Sequence, residues 1–135
     1  YQSDAWITAA ADGLVVRSED GGVVLDLDDD SLEETGWTLF YMHVATRGRV
    51  PLGARLKTGQ RIGHPSCEGG TSSGTHVHLA RRYNGEWIPA DQEIPFNLDG
   101  WISGGSGAQY EGTLKRGGIV ITALGYPADA NQITP

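Results

Sequence analysis

Hydrophobic and polar residues alternate in short runs along the chain, and Gly, Asp, Asn and Pro interrupt these runs at close intervals. Alternation with period two places successive side chains on opposite faces of a β-strand. In the first half of the chain this pattern predicts strands at 6–11, 13–18, 23–26 and 36–44, with turns at 12–13 and 19–22. No segment has the apolar spacing of a convincing helix, so the pattern predicts an all-β fold.

Segment 36–44 carries large side chains at both odd and even positions, which predicts a central strand that is buried on both faces. Further along, Asn84-Gly85 between alternating apolar residues predicts a type I′ hairpin. Short strands are also predicted at 110–114 and 119–123, after a Gly- and Ser-rich stretch. We therefore predict a β-domain at residues 1–103 and a Gly-rich C-terminal extension at 104–135.

Composition and charge narrow the function classes. A chain of 135 residues is long enough for one domain with its own core, and its net charge of −7 disfavours nucleic acid and anionic membrane surfaces as partners. No run of about 18 apolar residues is present, so no helical membrane span is predicted. The C-terminal strands offer sheet edges through which the chain is expected to self-associate.

The stretch Ser73-Gly74-Thr75-His76-Val77-His78-Leu79-Ala80 holds the most distinctive candidate chemistry. In a strand, His76 and His78 would share one face, while Thr75, Val77 and Leu79 would face the core. Two adjacent imidazoles suit a metal ligand paired with a second ligand or with a general base. The alternative is a pair of polar residues on a solvated face, and His43, on the predicted central strand, is by itself typical of a satisfied core histidine.

Asp26, Asp28 and Asp30 alternate in an acidic loop, and closely spaced carboxylates are the ligands that calcium prefers. An EF-hand loop would need Gly at its sixth position and Glu at its twelfth, where this chain has Ser31 and Trp37. Calcium at these three aspartates is one interpretation, and a solvated hairpin tip is the other.

Three motifs follow one another in a specific order: Tyr41-Met42-His43, the segment 59–63 with sequence Gly-Gln-Arg-Ile-Gly, and the segment 74–79 with sequence Gly-Thr-His-Val-His-Leu. Together with the early strand 9–16, their order and spacing resemble the lysostaphin-like (LytM-type) zinc metallopeptidases, over roughly residues 5–90. The resemblance implies an antiparallel β-sandwich or open barrel with a central groove, and cleavage of peptide bonds in bacterial cell-wall peptidoglycan. It also implies a location outside the cell or in the cell envelope.

Residue by residue, the resemblance implies that His78 is a zinc ligand. His76 and His43 would flank the water that zinc activates, as general base and transition-state stabiliser, and Tyr41 would contact the substrate. This division of roles is chemically sensible, because a neutral imidazole accepts a proton while the metal polarises the scissile carbonyl.

The resemblance is incomplete at the N-terminal side. The family supplies two further zinc ligands, a His and an Asp, from before the first strand, whereas here no histidine precedes His43. We expect these ligands on a segment absent from this chain, to which the single cysteine, Cys67, would form a disulfide. His64 is a weaker ligand candidate. The alternative is a metal-free, non-catalytic relative that acts as an extracellular binding or assembly module.

Overall fold

The structure is a computed structural model that describes residues 3–109, 111–125 and 132–133. Within these residues the chain forms β-strands and no helix, which confirms the all-β prediction. In chain order the strands are β1 Ile7–Thr8, β2 Gly13–Glu19, β3 Gly22–Asp26, β4 Trp37–Met42, β5 Arg55–Leu56, β6 Arg61–Gly63, β7 His78–Tyr83, β8 Glu86–Trp87, β9 Asn97–Leu98, β10 Trp101–Gly104, β11 Thr113–Arg116 and β12 Ile119–Thr122. In the part of the chain described, no helix has the length and apolar character needed to span a bilayer.

The chain divides into two compact units, Tyr1–Trp87 and Ile88–Pro135. In the first unit, β5-β2-β3-β4-β7-β8 form an open antiparallel sheet of six strands, and β1 pairs with β6. In the second unit, β12-β11-β10-β9 form an antiparallel sheet of four strands. The division between residues 103 and 104 stays a sequence-based prediction.

The core of the first unit lies along β3 and β4. All five residues of β3 are buried. Three of them, Val23, Val24 and Leu25, have branched apolar side chains, which pack well on a pleated sheet. β4 lies between β3 and β7, which confirms the predicted central strand. The prediction that β4 is buried on both faces was only partly right. Phe40 and Met42 lie on the same face of the sheet as His78, and both are half-buried.

Two hairpins follow the turn chemistry of the sequence. Asp20 and Gly21 have φ angles of 45° and 73°, and Asn84 and Gly85 have φ angles of 48° and 79°. Positive φ at both central residues defines the type I′ turn, whose twist matches that of paired strands. The predicted turn in 19–22 and the predicted hairpin at Asn84-Gly85 are both confirmed.

The strand predicted around the His-x-His motif begins later than expected. β7 starts at His78, whose partner is Met42, and His76 contributes an isolated bridge with Ser66. The prediction that Thr75 and Val77 face the core was wrong, since both are exposed. The physical reason lies in β4, which ends at Met42 and leaves residues before His78 without a neighbouring strand; the next residue, His43, has a φ of 67°.

Other predicted strands differ at their ends. The segment 6–11 is reduced to Ile7–Thr8, because its partner β6 is itself short. Strand 110–114 is shifted to Thr113–Arg116, and Tyr110 lies outside the described residues. Strand 119–123 is observed as Ile119–Thr122 and pairs with β11.

Candidate functional site

Three of the histidines gather at one end of the six-stranded sheet. His43 directly follows β4, and its neighbour Met42 lies opposite His78 at the start of β7. His76, two residues before β7, places its ring against that of His43, with centroids 4.5 Å apart and planes tilted by 49°. Antiparallel pairing of β4 and β7 therefore brings together the two motifs that the sequence carries far apart.

His43 is held by a main-chain carbonyl. His43 is 4% exposed, and its Nδ1 lies 2.8 Å from the carbonyl oxygen of Glu68. A carbonyl oxygen only accepts hydrogen bonds, so Nδ1 must carry the proton and donate. In the neutral ring this leaves a lone pair on Nε2, which is the form that a base or a metal ligand requires. Packing in the core as a satisfied histidine therefore accounts for Nδ1 of His43, whereas the lone pair on Nε2 stays available for a proton or a metal.

His76 is held in the same way, although its side chain is exposed. Its Nδ1 lies 2.9 Å from the carbonyl oxygen of Gly74 and 3.2 Å from the hydroxyl of Ser72. The Ser72 hydroxyl itself donates to the Gly74 carbonyl at 2.6 Å. Since Gly74 offers only an acceptor, the proton of neutral His76 also belongs on Nδ1, and Nε2 again keeps its lone pair.

The Gly-rich loop before β7 forms one side of this histidine cluster. A Cβ atom placed on Gly70 would lie 3.6 Å from Cε1 of His43 and 4.0 Å from the sulfur of Met42, which are ordinary van der Waals distances, so the loop backbone passes beside the ring without crowding it. At the base of the loop, a cavity of about 330 Å³ has Arg47, Cys67 and Glu68 among its lining residues. Cys67 is a half-buried free thiol, and its disulfide to another segment stays a prediction.

Sequence reasoning missed the residues that hold the two imidazoles, Glu68 and Ser72. Glu68 acts through its main chain, which no residue type signals. Ser72 lies in a run of small residues, and the sequence offers nothing to separate it from Ser73 or Thr71. The only usable signal was the length and Gly content of the loop next to a His-x-His motif.

Tyr41 lies in the core on the opposite face of β4 from Met42. It is 2% exposed, and its hydroxyl accepts a hydrogen bond of 2.9 Å from the main-chain N–H of Ala10. Burial raises the pKa of the Tyr41 hydroxyl, so it remains protonated at neutral pH. These contacts are structural, and substrate contact by Tyr41 stays a prediction.

His64 has its own partners apart from this cluster. His64 is buried, its ring packs against Trp6 with centroids 3.9 Å apart and planes tilted by 39°, and its Nδ1 lies 2.7 Å from the carbonyl oxygen of Ala5. These contacts join β6 to the segment before β1. They give His64 a packing role and leave its weaker assignment as a metal ligand untested.

Zinc would require three protein ligands and an open position. Within the described ranges, one group of three His, Cys, Asp or Glu side chains has ligand atoms close enough to share an ion, and it is Asp26, Asp28 and Asp30. His78 belongs to no such group there. The described residues therefore do not complete a zinc centre, and zinc binding by His78 stays a prediction.

The three aspartates are already engaged with the polypeptide. Asp26 is fully buried, and its carboxylate accepts hydrogen bonds from the main-chain N–H groups of Asp28 and Ser31, at 3.2 and 2.9 Å. A hydrogen bond with Asp26, followed by desolvation and the nearby negative charges, raises the pKa of Asp28. This arrangement orders the acidic loop, and calcium at these residues stays a prediction.

Comparison with known proteins gives one family and one fold. The sequence profile of Peptidase family M23 matches residues 1–90. The structure is similar to that of pseudoalterin, described as a novel M23 metalloprotease from the deep sea, with a TM-score of 0.66 and 21% identity over 88% of this chain and 70% of that chain. At that identity the likeness shows the fold alone. No curated protein sequence matches the chain significantly.

Two other solved structures are similar over a smaller part of the chain. A mutant catalytic domain of the prophage-encoded M23 protein EnpA from Enterococcus faecalis has 27% identity and a TM-score of 0.49, covering 62% of this chain and 65% of that one. The catalytic domain of the antimicrobial peptidase lysostaphin from Staphylococcus simulans has 26% identity and a TM-score of 0.49, covering 58% and 59%. On the profile match, which spans most of the chain, this protein belongs to Peptidase family M23.

Proposed function

We propose that this chain provides the histidine-bearing half of a zinc metalloendopeptidase that hydrolyses peptide bonds in bacterial peptidoglycan, outside the cell or in its envelope. Membership of family M23 supports the reaction class. The observation that carries the proposal is the His43–His76 pair, in which each Nδ1 donates to a main-chain carbonyl. Two neighbouring imidazoles with unprotonated Nε2 atoms are suited to moving protons during peptide hydrolysis.

The two histidines are suited to different parts of the reaction. His76 is exposed, so it can exchange protons with solvent after its Nε2 takes a proton from the attacking water. His43 is buried and fixed, so once protonated its Nε2–H would donate a hydrogen bond to the oxyanion that develops on the scissile carbonyl. In both roles the Nδ1–H bond to a carbonyl fixes the orientation of the ring. Catalysis requires this, because catalytic groups must stay close to their productive position and orientation.

His78 would be the zinc ligand contributed by β7, because it begins that strand beside the other two histidines. Bound zinc supplies a Lewis acid that polarises the scissile carbonyl and activates water. The remaining ligands would have to come from residues other than those described.

The test uses the protein expressed from its complete reading frame. Purified protein is assayed for bound zinc and for release of peptides from purified peptidoglycan and from a glycine-rich cross-bridge peptide. We expect hydrolysis that a chelator abolishes and added zinc restores, and we expect no hydrolysis by His43→Ala. A protein that holds stoichiometric zinc, binds peptidoglycan and releases no peptide would contradict the proposal.

A second candidate function is a non-catalytic module that binds peptidoglycan or assembles with other proteins. The observation in its favour is that His78 joins no group of three ligand side chains in the described part of the chain. Sedimentation with insoluble peptidoglycan distinguishes the two functions. A binding module would pellet equally well with and without chelator and would release no peptide, whereas zinc-dependent release would exclude it.

A further inference from the structure

We propose that the Asp20-Gly21 turn of the β2–β3 hairpin is a positioning element for His43. It fixes the Glu68–Gly69 peptide, whose carbonyl accepts the Nδ1–H of His43. This inference rests on the proposed function only in treating Nε2 of His43 as the working atom. Positioning itself is a property of the folded chain that can be measured without substrate.

The atoms that come nearest to the Cβ positions of Gly21 and Gly69 are backbone atoms of the opposite segment. A Cβ atom on Gly21 would lie 2.6 Å from the carbonyl carbon of Glu68 and 2.7 Å from its oxygen. From the other side, a Cβ atom on Gly69 would lie 2.4 Å from the carbonyl oxygen of Asp20. Gly21 and Gly69 have φ angles of 73° and 80°. Both positions therefore need glycine for two reasons, because the backbone has a positive φ and because the opposite backbone approaches too closely for a Cβ atom.

Hydrogen bonds join the same turn and the same loop to the backbone around His43. The N–H of Val44 donates to the carbonyl of Gly21 at 2.9 Å. The carbonyl of His43 accepts from both the N–H and the hydroxyl of Ser66, at 2.7 and 3.0 Å. The turn, the loop and residues 43–44 are thus connected to one another by contacts and hydrogen bonds, and the Nδ1–H bond from His43 to Glu68 is one of these connections.

The side chain of Glu68 holds the loop from a further direction. Its carboxylate accepts hydrogen bonds from the N–H of Thr46, at 2.9 and 3.0 Å, and from the Thr46 hydroxyl at 2.7 Å. Nη1 of Arg49 lies 3.9 Å from Oε2 of the Glu68 carboxylate. Glu68 is therefore held by the hairpin turn behind its carbonyl and by Thr46 at its side chain, which leaves its carbonyl oxygen in a fixed direction.

The chemical consequence concerns the tautomer of neutral His43. A fixed acceptor at Nδ1 keeps the proton there, whereas loss of this acceptor would allow the tautomer with the proton on Nε2. Without the acceptor at Nδ1 the ring would also be free to turn, so Nε2 would no longer be held in the direction that donation to the oxyanion requires. A misplacement of about 1 Å can cost about 10²-fold in rate, so a displaced Glu68 carbonyl should lower the catalytic rate by about that factor.

The experiment is ¹⁵N NMR of the histidine side chains in the metal-free full chain, at a pH where the imidazoles are neutral. In the wild-type protein we expect His43 as the Nδ1–H tautomer with a slowly exchanging proton. Gly21→Ala should convert a measurable fraction to the Nε2–H tautomer. Gly53→Ala is the matched control, because Gly53 has a φ of 85° and no atom within 4 Å of its Cβ position. It carries the same conformational cost without the contact and should leave His43 unchanged.

A second pair of variants decides the outcome if Gly21→Ala does not fold. Glu68→Ala removes the bonds to Thr46 and should shift the His43 tautomer, whereas Glu68→Gln retains an acceptor oxygen and should preserve it. An unchanged His43 in folded Gly21→Ala, an equal shift in Gly53→Ala, or an unchanged His43 in Glu68→Ala would overturn the proposal. A tautomer shift in a protein that hydrolyses no peptide would instead contradict only the proposed function.

Discussion

His43 and His76 face each other with ring centroids 4.5 Å apart, and each donates its Nδ1–H to the carbonyl of a different loop residue. The two rings therefore expose the same nitrogen, Nε2, although one ring is buried and the other exposed. This relationship arises because β4 ends where β7 begins, so that the residues just beyond the paired ends meet.

Removal of the Tyr41 hydroxyl should destabilise the fold. Tyr41→Phe removes the acceptor of the Ala10 N–H, and because Tyr41 is buried whereas Ala10 is exposed, loss of this part-buried bond should cost about 0.5–1.5 kcal/mol in the free energy of unfolding. Denaturant titration measures this cost. Tyr83→Phe, on an exposed ring, is the control and should change stability by less than about 0.5 kcal/mol. An equal loss of stability in the two variants would show that the hydrogen bond between Tyr41 and Ala10 does not stabilise the fold.

Asp12 should give stability a dependence on pH in the acid range. A hydrogen bond from Lys57, followed by bonds from the main chain and hydroxyl of Thr58, lowers the pKa of Asp12 from 3.8 to about 2. A carboxylate with a lowered pKa stabilises the fold above its ordinary pKa, and this contribution is lost as the pH falls toward about 2. Thermal unfolding of Asp12→Asn between pH 5 and pH 2 should show a smaller loss of stability than that of wild type. An identical pH profile would contradict this account of Asp12.

Asp26 should matter to stability more than the other acidic residues of its loop. Asp26→Ala leaves the N–H groups of Asp28 and Ser31 without their acceptor beside a fully buried position, at an expected cost of about 1–3 kcal/mol. Asp29→Asn removes the charge of an exposed ion pair with Arg55, keeps a residue type that tolerates the φ of 65° at this position, and should cost less than about 1 kcal/mol. Chemical denaturation of both variants provides the comparison, and a larger loss in Asp29→Asn would refute the ordering role of Asp26.

Features set by local chemistry could be predicted from the sequence. The Asn84-Gly85 and Asp20-Gly21 turns follow from residues that tolerate positive φ, and the central position of β4 follows from large side chains at successive positions. The motifs around His43 and His78 identified the family because their order is specific. The turn and strand signals each lie within a few consecutive residues, and the family signal adds the order of several such motifs along the chain.

Features set by contacts between distant segments could not be predicted. The start of β7 at His78 depends on where β4 ends, so a strand drawn from alternation alone extended too far, through Thr75 and Val77. The holding of His43 depends on a main-chain carbonyl of Glu68 and on the approach of Gly21, neither of which is visible in residue type. Such backbone contacts require the fold before they can be recognised.

The most direct test of the central claim is zinc content and peptide cleavage measured on the same samples of His76→Ala and His78→Ala, expressed in the complete reading frame. If His76 moves protons and His78 binds the metal, His76→Ala keeps its zinc and loses about 10²–10⁴-fold in cleavage rate, whereas His78→Ala loses both zinc and cleavage. Equal loss of zinc in the two variants would contradict this assignment of roles.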